Sequence, residues 1–221
     1  MPPTTFLPPL HGQELGQVNI TTCGGRCLFE LCCNPAFAVN TVIDIGTWNG
    51  LGSTWSVTAG LFQRCVSDPT LTAKVWSLEC NGTRAAEAKA RWAGARLPGL
   101  LTVDIVHGRV INEEDLVDPR PGTETEWHAQ DVAAMATCSN VLNTLCPKEC
   151  DLLVLDGGEF GAFAEWTALA SRRPRYVFLD DINVAKCRAV FADLMVRDEY
   201  VLIKHDETER NGWALFHLPV S

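Results

Sequence analysis

Residues 41–53, TVIDIGTWNGLGS, constrain the fold of this chain more than any other stretch. Val42, Ile43 and Ile45 form a short apolar run that holds one acid, Asp44. The run breaks into Gly46, Gly50 and Gly52, and a helix-compatible segment follows from Ser53 to Cys65. A strand that stops at a glycine-rich turn and passes into a helix is the opening of a βα unit. Glycines let the turn approach a ligand and adopt positive φ without a Cβ clash. The first turn of the helix presents unpaired N–H groups to a polar or anionic end. The stretch therefore predicts a ligand-binding turn.

The same unit recurs along the chain. Apolar runs at 73–79, 100–106, 151–156 and 175–180 alternate with helical stretches at 83–93, 127–147, 161–171 and 184–197. Residues 151–156, DLLVLD, are continuously apolar between their two acids, as in a strand buried on both faces. The alternation predicts an α/β fold, a largely parallel sheet covered by helices. Residues 199–204 and 212–218 follow one another with no helix between them, which predicts an antiparallel pair at an edge. Residues 112–126 read as a loop. A proline-rich arm and a short helix at 25–33 make a lead-in over 1–40, and 41–221 read as a single domain, in keeping with the 221-residue length.

Glycine spacing narrows the ligand. A dinucleotide fingerprint needs G-x-G-x-x-G. Gly50 and Gly52 supply two of its glycines, but Trp55 stands at the third. A phosphate loop is excluded, because no Lys follows these glycines. The stretch instead resembles motif I of the class I S-adenosylmethionine-dependent methyltransferases, acid-x-G-x-x-x-G-x-G/S, through Asp44, Gly46, Gly50 and Gly52. Over residues 38–218 that resemblance implies a Rossmann-like, mostly parallel seven-stranded sheet with an antiparallel last strand and helices on both faces. It implies S-adenosylmethionine at Asp44, Gly46, Thr47, Trp48, Gly50, Gly52 and Ser53. It also places Glu79, at the end of the second strand, on the ribose hydroxyls. An ionised carboxylate suits that task because it only accepts and can take two donors. The alternative for Asp44 is a carboxylate that pins the turn.

A second constellation is Asp156-Gly157-Gly158-Glu159 with Asp180-Asp181, one βα unit further on. Carboxylates at neighbouring strand ends repel unless a cation or a proton joins them. Hard oxygen ligands suit Mg²⁺, Ca²⁺ or Mn²⁺. The pattern resembles the metal-dependent branch of the O-methyltransferases. That resemblance implies a divalent ion on Asp156, Asp180 and Asp181 and catalytic roles for Asp156, Glu159 and Asp180. Glu159 stands where the family usually has His. Structural alternatives are a turn or helix cap at Asp156 and an N-cap at Asp181. His107 follows the third strand and is a secondary base candidate. Lys186 follows Asp181 on a helix; it can pair with these acids, but a solvated lysine is the commoner arrangement.

The formal net charge of −9, with only 18 Lys and Arg, argues against nucleic acid as the partner. Arg172, Arg173 and Arg175 read as caps at a helix end. No segment is long and apolar enough for a bilayer, and MPPTTFLPPLHGQELGQ lacks the basic start and apolar core of a secretory signal, so a cytoplasmic location is expected. The ten cysteines include no C-x-x-C pair and read mainly as free buried thiols. The expected activity is O-methylation of a small hydroxylated acceptor, sugar-like or another polyol. The alternatives are a metal-independent N-methyltransferase, a metal-dependent member of the fold with other chemistry such as hydroxylation, and a silent binding protein. Intact glycines and Glu79 speak against the last. Neither the acceptor nor the oligomeric state is legible in the sequence.

Overall fold

The computed structural model describes residues 5–219; the first four residues of the expected N-terminal arm, and Val220 and Ser221, lie outside them. Five strands carry the site: β1 (Thr41–Ile45), β2 (Thr72–Glu79), β3 (Leu100–Arg109), β5 (Leu152–Leu155) and β6 (Tyr176–Asp180). A two-residue β4 (Ser139–Asn140) and a closing hairpin of β7 (Val201–Asp206) and β8 (Trp213–His217) complete the sheet. The order is β4-β3-β2-β1-β5-β6-β8-β7. β8 is antiparallel to both neighbours, and the other pairings are parallel. Order reverses between β1 and β5, so the ligand crevice of an open α/β sheet belongs beyond the carboxyl ends of these two strands.

The expected architecture holds, with one strand more than the seven anticipated. The extra strand is β4, which pairs with Gly108 and Arg109. It interrupts the helix expected over 127–147: α4 is Thr123–Ala136. The helix starts inside the expected loop because Gly122 turns the chain at φ +113° and Glu124 and Glu126 sit in the first turn, where acids are favoured. It stops early because polar side chains take over. Asn140 accepts from Leu142 N–H and donates to Asn112 Oδ1, satisfying groups that a helix would otherwise bond.

Alternation along β1 and β5 feeds two apolar layers. Ile43, Ile45, Leu153 and Leu155 face α5 (Ala162–Leu169) and α6 (Ala185–Val196). Val42, Leu152 and Val154 face α1 (Cys23–Cys33) and α2 (Ser53–Ser67). α1 contributes Cys27, Leu28, Leu31 and Cys32 to the second layer, so the lead-in is packed against the sheet domain. All ten cysteines are free; six are buried and four half-buried. Burial pushes the Cys27 and Cys146 thiols up to about 11.

The α1–α2 crossing depends on Gly60. A Cβ there would lie 2.5 Å from Phe29 O and 2.7 Å from Cys32 Cβ. Gly60→Ala should therefore cost about 1–3 kcal/mol through overpacking. Denaturant unfolding checks this, and a variant as stable as the parent would show that the helices separate freely.

Candidate active site

The glycine turn is built on two close approaches. Gly46 has φ +102°, and a Cβ on it would lie 2.2 Å from Asp156 O, so only glycine lets β1 and β5 end this near one another. The N–H groups of Gly46 and Thr47 both donate to Leu78 O at 3.0 Å, which joins the turn to β2. Trp48 follows in the left-handed region at φ +49°. Its N–H donates to Glu79 Oε2 at 2.7 Å, and Asn81 N–H donates to Oε1 at 2.8 Å. Burial pushes the Glu79 carboxyl up, and these backbone donors oppose the shift. Each oxygen keeps a lone pair for a ligand hydroxyl.

Asp44 has no solvent exposure. Its Oδ1 accepts from Ser53 Oγ at 2.9 Å, and its Oδ2 from Thr54 Oγ1 at 2.6 Å and Ser77 Oγ at 2.8 Å. Burial raises its pKa and the three hydroxyls counter that. Thr47 Oγ1 bonds Ser77 Oγ, and Gly50 O accepts from Trp92 Nε1 at 3.0 Å. The N-terminal arm covers the start of α2: Gly16 packs on Gly52, Asn49 Nδ2 donates to Glu14 O, and Trp55 Nε1 donates to Pro8 O. Asp44, Thr47, Gly50, Gly52 and Ser53 thus form the frame of the turn. Of the residues expected to hold the cofactor, Gly46, Trp48 and Glu79 line the cleft.

The cleft encloses about 290 Å³ beyond the ends of β1, β2, β3 and β5. Gly46, Trp48 and Glu79 stand on one side, Asp156 and Gly157 on another, and Ile111, Met135 and Glu165 also line it. Glu165, in the first turn of α5, is 8% exposed, and its Oε2 has no hydrogen-bond partner. Burial pushes it up to about 7; Lys186 opposes and Asp131 adds to the shift. Sequence reading passed over Glu165. The available signal was one acid in the otherwise apolar turn AFAEW.

Asp156, Asp180 and Asp181 do converge, but on a lysine. Lys186 Nζ lies 3.0 Å from Asp156 Oδ1, 3.3 Å from Asp180 Oδ2 and 3.2 Å from Asp181 Oδ2. Its side chain is 4% exposed. Arg210, from the β7–β8 turn, approaches Asp180 at 3.5 Å and Asp181 at 3.3 Å and bonds Gln17 of the arm. Asp181 sits at φ +60°, which turns its carboxylate back toward the lysine. Burial and the Asp156 charge push Asp180 up to about 8 against the pull of Lys186. Burial likewise raises Asp181, but Lys186 and Arg210 outweigh it and hold the carboxyl below its usual range. Three carboxylates face two cations, and burial beside Asp156 favours the protonated form of Asp180. The divalent ion expected here does not fit, because the ammonium fills the position between the acids. Among the described residues no grouping of His, Cys, Asp and Glu is arranged to hold a metal.

Glu159 lies outside this cluster and is half-buried. Burial raises its pKa, Lys186 lowers it, and Asp181 and Asp180 raise it further. His107 Nε2 bonds Cys80 O at 3.0 Å, a structural tie between strands. The three arginines neither cap one helix nor form a patch. Arg172 bonds Pro147 O and Leu142 O, Arg173 pairs with Glu199, and Arg175 bonds Phe37 O.

No protein-family model and no curated protein sequence matches the chain. Solved structures do match in fold. A provisionally named O-methyltransferase from Klebsiella pneumoniae superposes with TM-score 0.52 at 14% identity, over 96% of this chain and 84% of that one. The SAH-bound methyltransferase PaMTH1 from Podospora anserina gives 0.53 at 12% identity, over 89% and 78%. A methyltransferase-like protein from Silicibacter pomeroyi gives 0.50 at 16% identity, over 93% and 91%. The chain has the Rossmann-like fold of the class I S-adenosylmethionine-dependent methyltransferases. No helix among the described residues is long and apolar enough to cross a membrane.

Two outcomes follow from the charges. Lys186→Met leaves the three acids with Arg210 as their only cation and Asp156 with none, a loss of about 3–5 kcal/mol. Millimolar Ca²⁺ or Mg²⁺ should restore part of the thermal stability of the variant and leave the parent unchanged. A parent that is itself stabilised would return the metal to this site. Glu165 titrates near 7 folded against 4.5 unfolded. Its contribution is fully present below pH 4.5 and lost as pH rises through about 7. Glu165→Gln should remove that dependence, so the variant gains on the parent by about 3 kcal/mol between acid and mildly alkaline pH. Urea unfolding at a series of pH values measures the gap.

Proposed function

We propose that this chain is an S-adenosylmethionine-dependent methyltransferase acting on a hydroxyl of a small-molecule acceptor, without a divalent cation. The observation that carries the reading is the Glu79 carboxylate. It is held at the edge of the cleft by Trp48 and Asn81 N–H groups, beside the Gly46 turn, in a fold shared with methyltransferases.

When bound, S-adenosylmethionine supplies a methyl group already activated on a sulfonium. Glu79 accepts from the ribose hydroxyls, and Gly46 and Trp48 back the same side of the cleft. The residues then have to orient the acceptor in line with the methyl group, a contribution on the order of 7–11 kcal/mol. A hydroxyl acceptor also has to lose its proton. Glu159 is the base in this reading. Its raised pKa moves it toward the working pH, whereas Asp156 and Asp180 are engaged by Lys186. The net charge of −9 supports a small-molecule acceptor over nucleic acid, and a cytoplasmic setting belongs to the same proposal.

Calorimetry should show binding of S-adenosylmethionine or S-adenosylhomocysteine. Glu79→Ala should weaken it at least tenfold, about 1.4 kcal/mol. Turnover, once an acceptor is found, should be indifferent to chelator. Binding of NADH in place of S-adenosylmethionine would refute the reading.

A further inference from the structure

Two of the four half-buried cysteines meet beside the cleft. Cys80 follows Glu79 at the end of β2 and lines the cleft. Cys138 stands between α4 and β4. β3 brings the two together. Glu79 is in register with His107, so Cys80 comes level with Gly108, and Gly108 is in register with Ser139, the residue after Cys138. The Cys80 thiol lies 3.5 Å from Gly108 O, and the Cys138 thiol lies 3.5 Å from Met135 O. The two thiols are also in hydrogen-bonding contact with one another.

The pair is asymmetric. Cys138 has exposed neighbours in Thr137, Ser139 and Asn140, whereas Cys80 packs against the apolar layer that includes Met135 and Val141. The hydrogen bond from Cys80 holds the Cys138 thiol below its ordinary range; burial opposes this, and the Arg109 guanidinium adds to it. The same bond, with burial, pushes the Cys80 thiol up. Arg109 spends Nη1 on Glu113, and its buried Nε has no partner. A thiolate, not a thiol, is the nucleophile, so Cys138 is the reactive member and Cys80 the neighbour that can resolve it.

We propose that Cys80 and Cys138 are a redox-active dithiol, which a hydroperoxide closes into a disulfide that ties the end of α4 to the strand end carrying Glu79. The Cys138 thiolate attacks one peroxide oxygen; an S–O bond forms, the O–O bond breaks, and the leaving hydroxide takes a proton to become water. The Cys80 thiol then gives up its proton and its sulfur attacks the Cys138 sulfur. The S–S bond forms, the S–O bond breaks, and the second oxygen leaves as water. The two thiols have lost two electrons and the peroxide has gained them. The sulfurs close to about 2.0 Å. Cys138 makes the movement, because only the two-residue β4 holds it to the sheet. Gln130, Asp131, Ala134 and Met135 of α4 line the same cleft, so the tether draws α4 across it. A cofactor then binds more weakly. That consequence rests on the S-adenosylmethionine reading above; the bond itself does not.

The test treats the native full chain with hydrogen peroxide, blocks remaining thiols with iodoacetamide in denaturant, and maps the peptides by mass spectrometry. Two of the ten thiols should be consumed, in a single Cys80–Cys138 link that dithiothreitol returns to thiols. Cys80→Ser should strand Cys138 as a sulfenic acid that dimedone traps, and Cys138→Ser should give no adduct at Cys80. Calorimetry with S-adenosylhomocysteine should show the oxidised parent at least tenfold weaker than the reduced one, and Cys138→Ser indifferent to peroxide. The parent map decides the bond without any variant: ten surviving thiols, or links among other cysteines, overturn the proposal. So does a Cys138 sulfenic acid in the parent that never passes to Cys80. A disulfide that leaves the affinity of a binding chain unchanged overturns the tether across the cleft. A chain that binds no S-adenosylhomocysteine in either state refutes the cofactor reading, and the map alone then decides the dithiol.

Discussion

The three hydroxyl donors on Asp44 set the geometry on which the cleft depends. The carboxylate belongs to β1, two of its donors to the first turn of α2, and the third to β2. These bonds fix where α2 begins and how β1 and β2 end relative to one another. The Gly46–Trp48 turn has little freedom left, and its N–H groups reach Leu78 O and Glu79. A charge with no exposure is costly alone. Here the cost is offset by hydroxyls that have no other way of bringing two strands and a helix to one point. Asp44 is thus the knot that holds the turn in place.

Electrostatics at the other wall of the cleft follow a different logic. Asp156 and Asp180 end neighbouring strands, and Asp181 turns back in the left-handed region. Their repulsion would drive β5 and β6 apart at the site without a counter-charge. Lys186 provides it from α6, so strand ends and helix are held by one ammonium. A tethered cation differs from a bound ion: it is always present, and it leaves no open coordination position for an acceptor. Glu159, half-buried, stands outside this cluster.

Much of this was legible because it is local. The β1 run, its glycines, the acid ending β2 and the acids ending β5 and β6 are read directly from strand-then-turn patterns, and all sit where the pattern puts them. The missed features depend on distant contacts. In sequence Lys186 is one possible partner of the acids, but its burial among all three is not legible there. Glu165 looks like an ordinary first-turn acid, and nothing local shows that it is buried with an oxygen unpaired. The break after Ala136 comes from side-chain bonds between Asn112 and Asn140, which helical periodicity cannot register. The framing role of Thr47, Gly50, Gly52 and Ser53 arises because the arm from Pro8 to Val18 lies over the outside of the turn.

The two ends of the chain are wired together, and this has a consequence for synthesis. Glu209, in the last hairpin, accepts from Cys23 N–H at 2.7 Å and Gly24 N–H at 2.9 Å, completing the start of α1. Gln17 bonds Arg210 in the same turn, and β8 inserts between β6 and β7. During synthesis α1 can pack on α2 early, but the bonds of Cys23, Gly24 and Gln17 to Glu209 and Arg210 wait for the β7–β8 turn. Until residue 213 has cleared the exit, β6 carries an unpaired edge whose side chains are those of the core. Between the synthesis of Asp180 and that of Trp213 the nascent chain thus holds an open, apolar strand edge, which closes only with the β7–β8 hairpin.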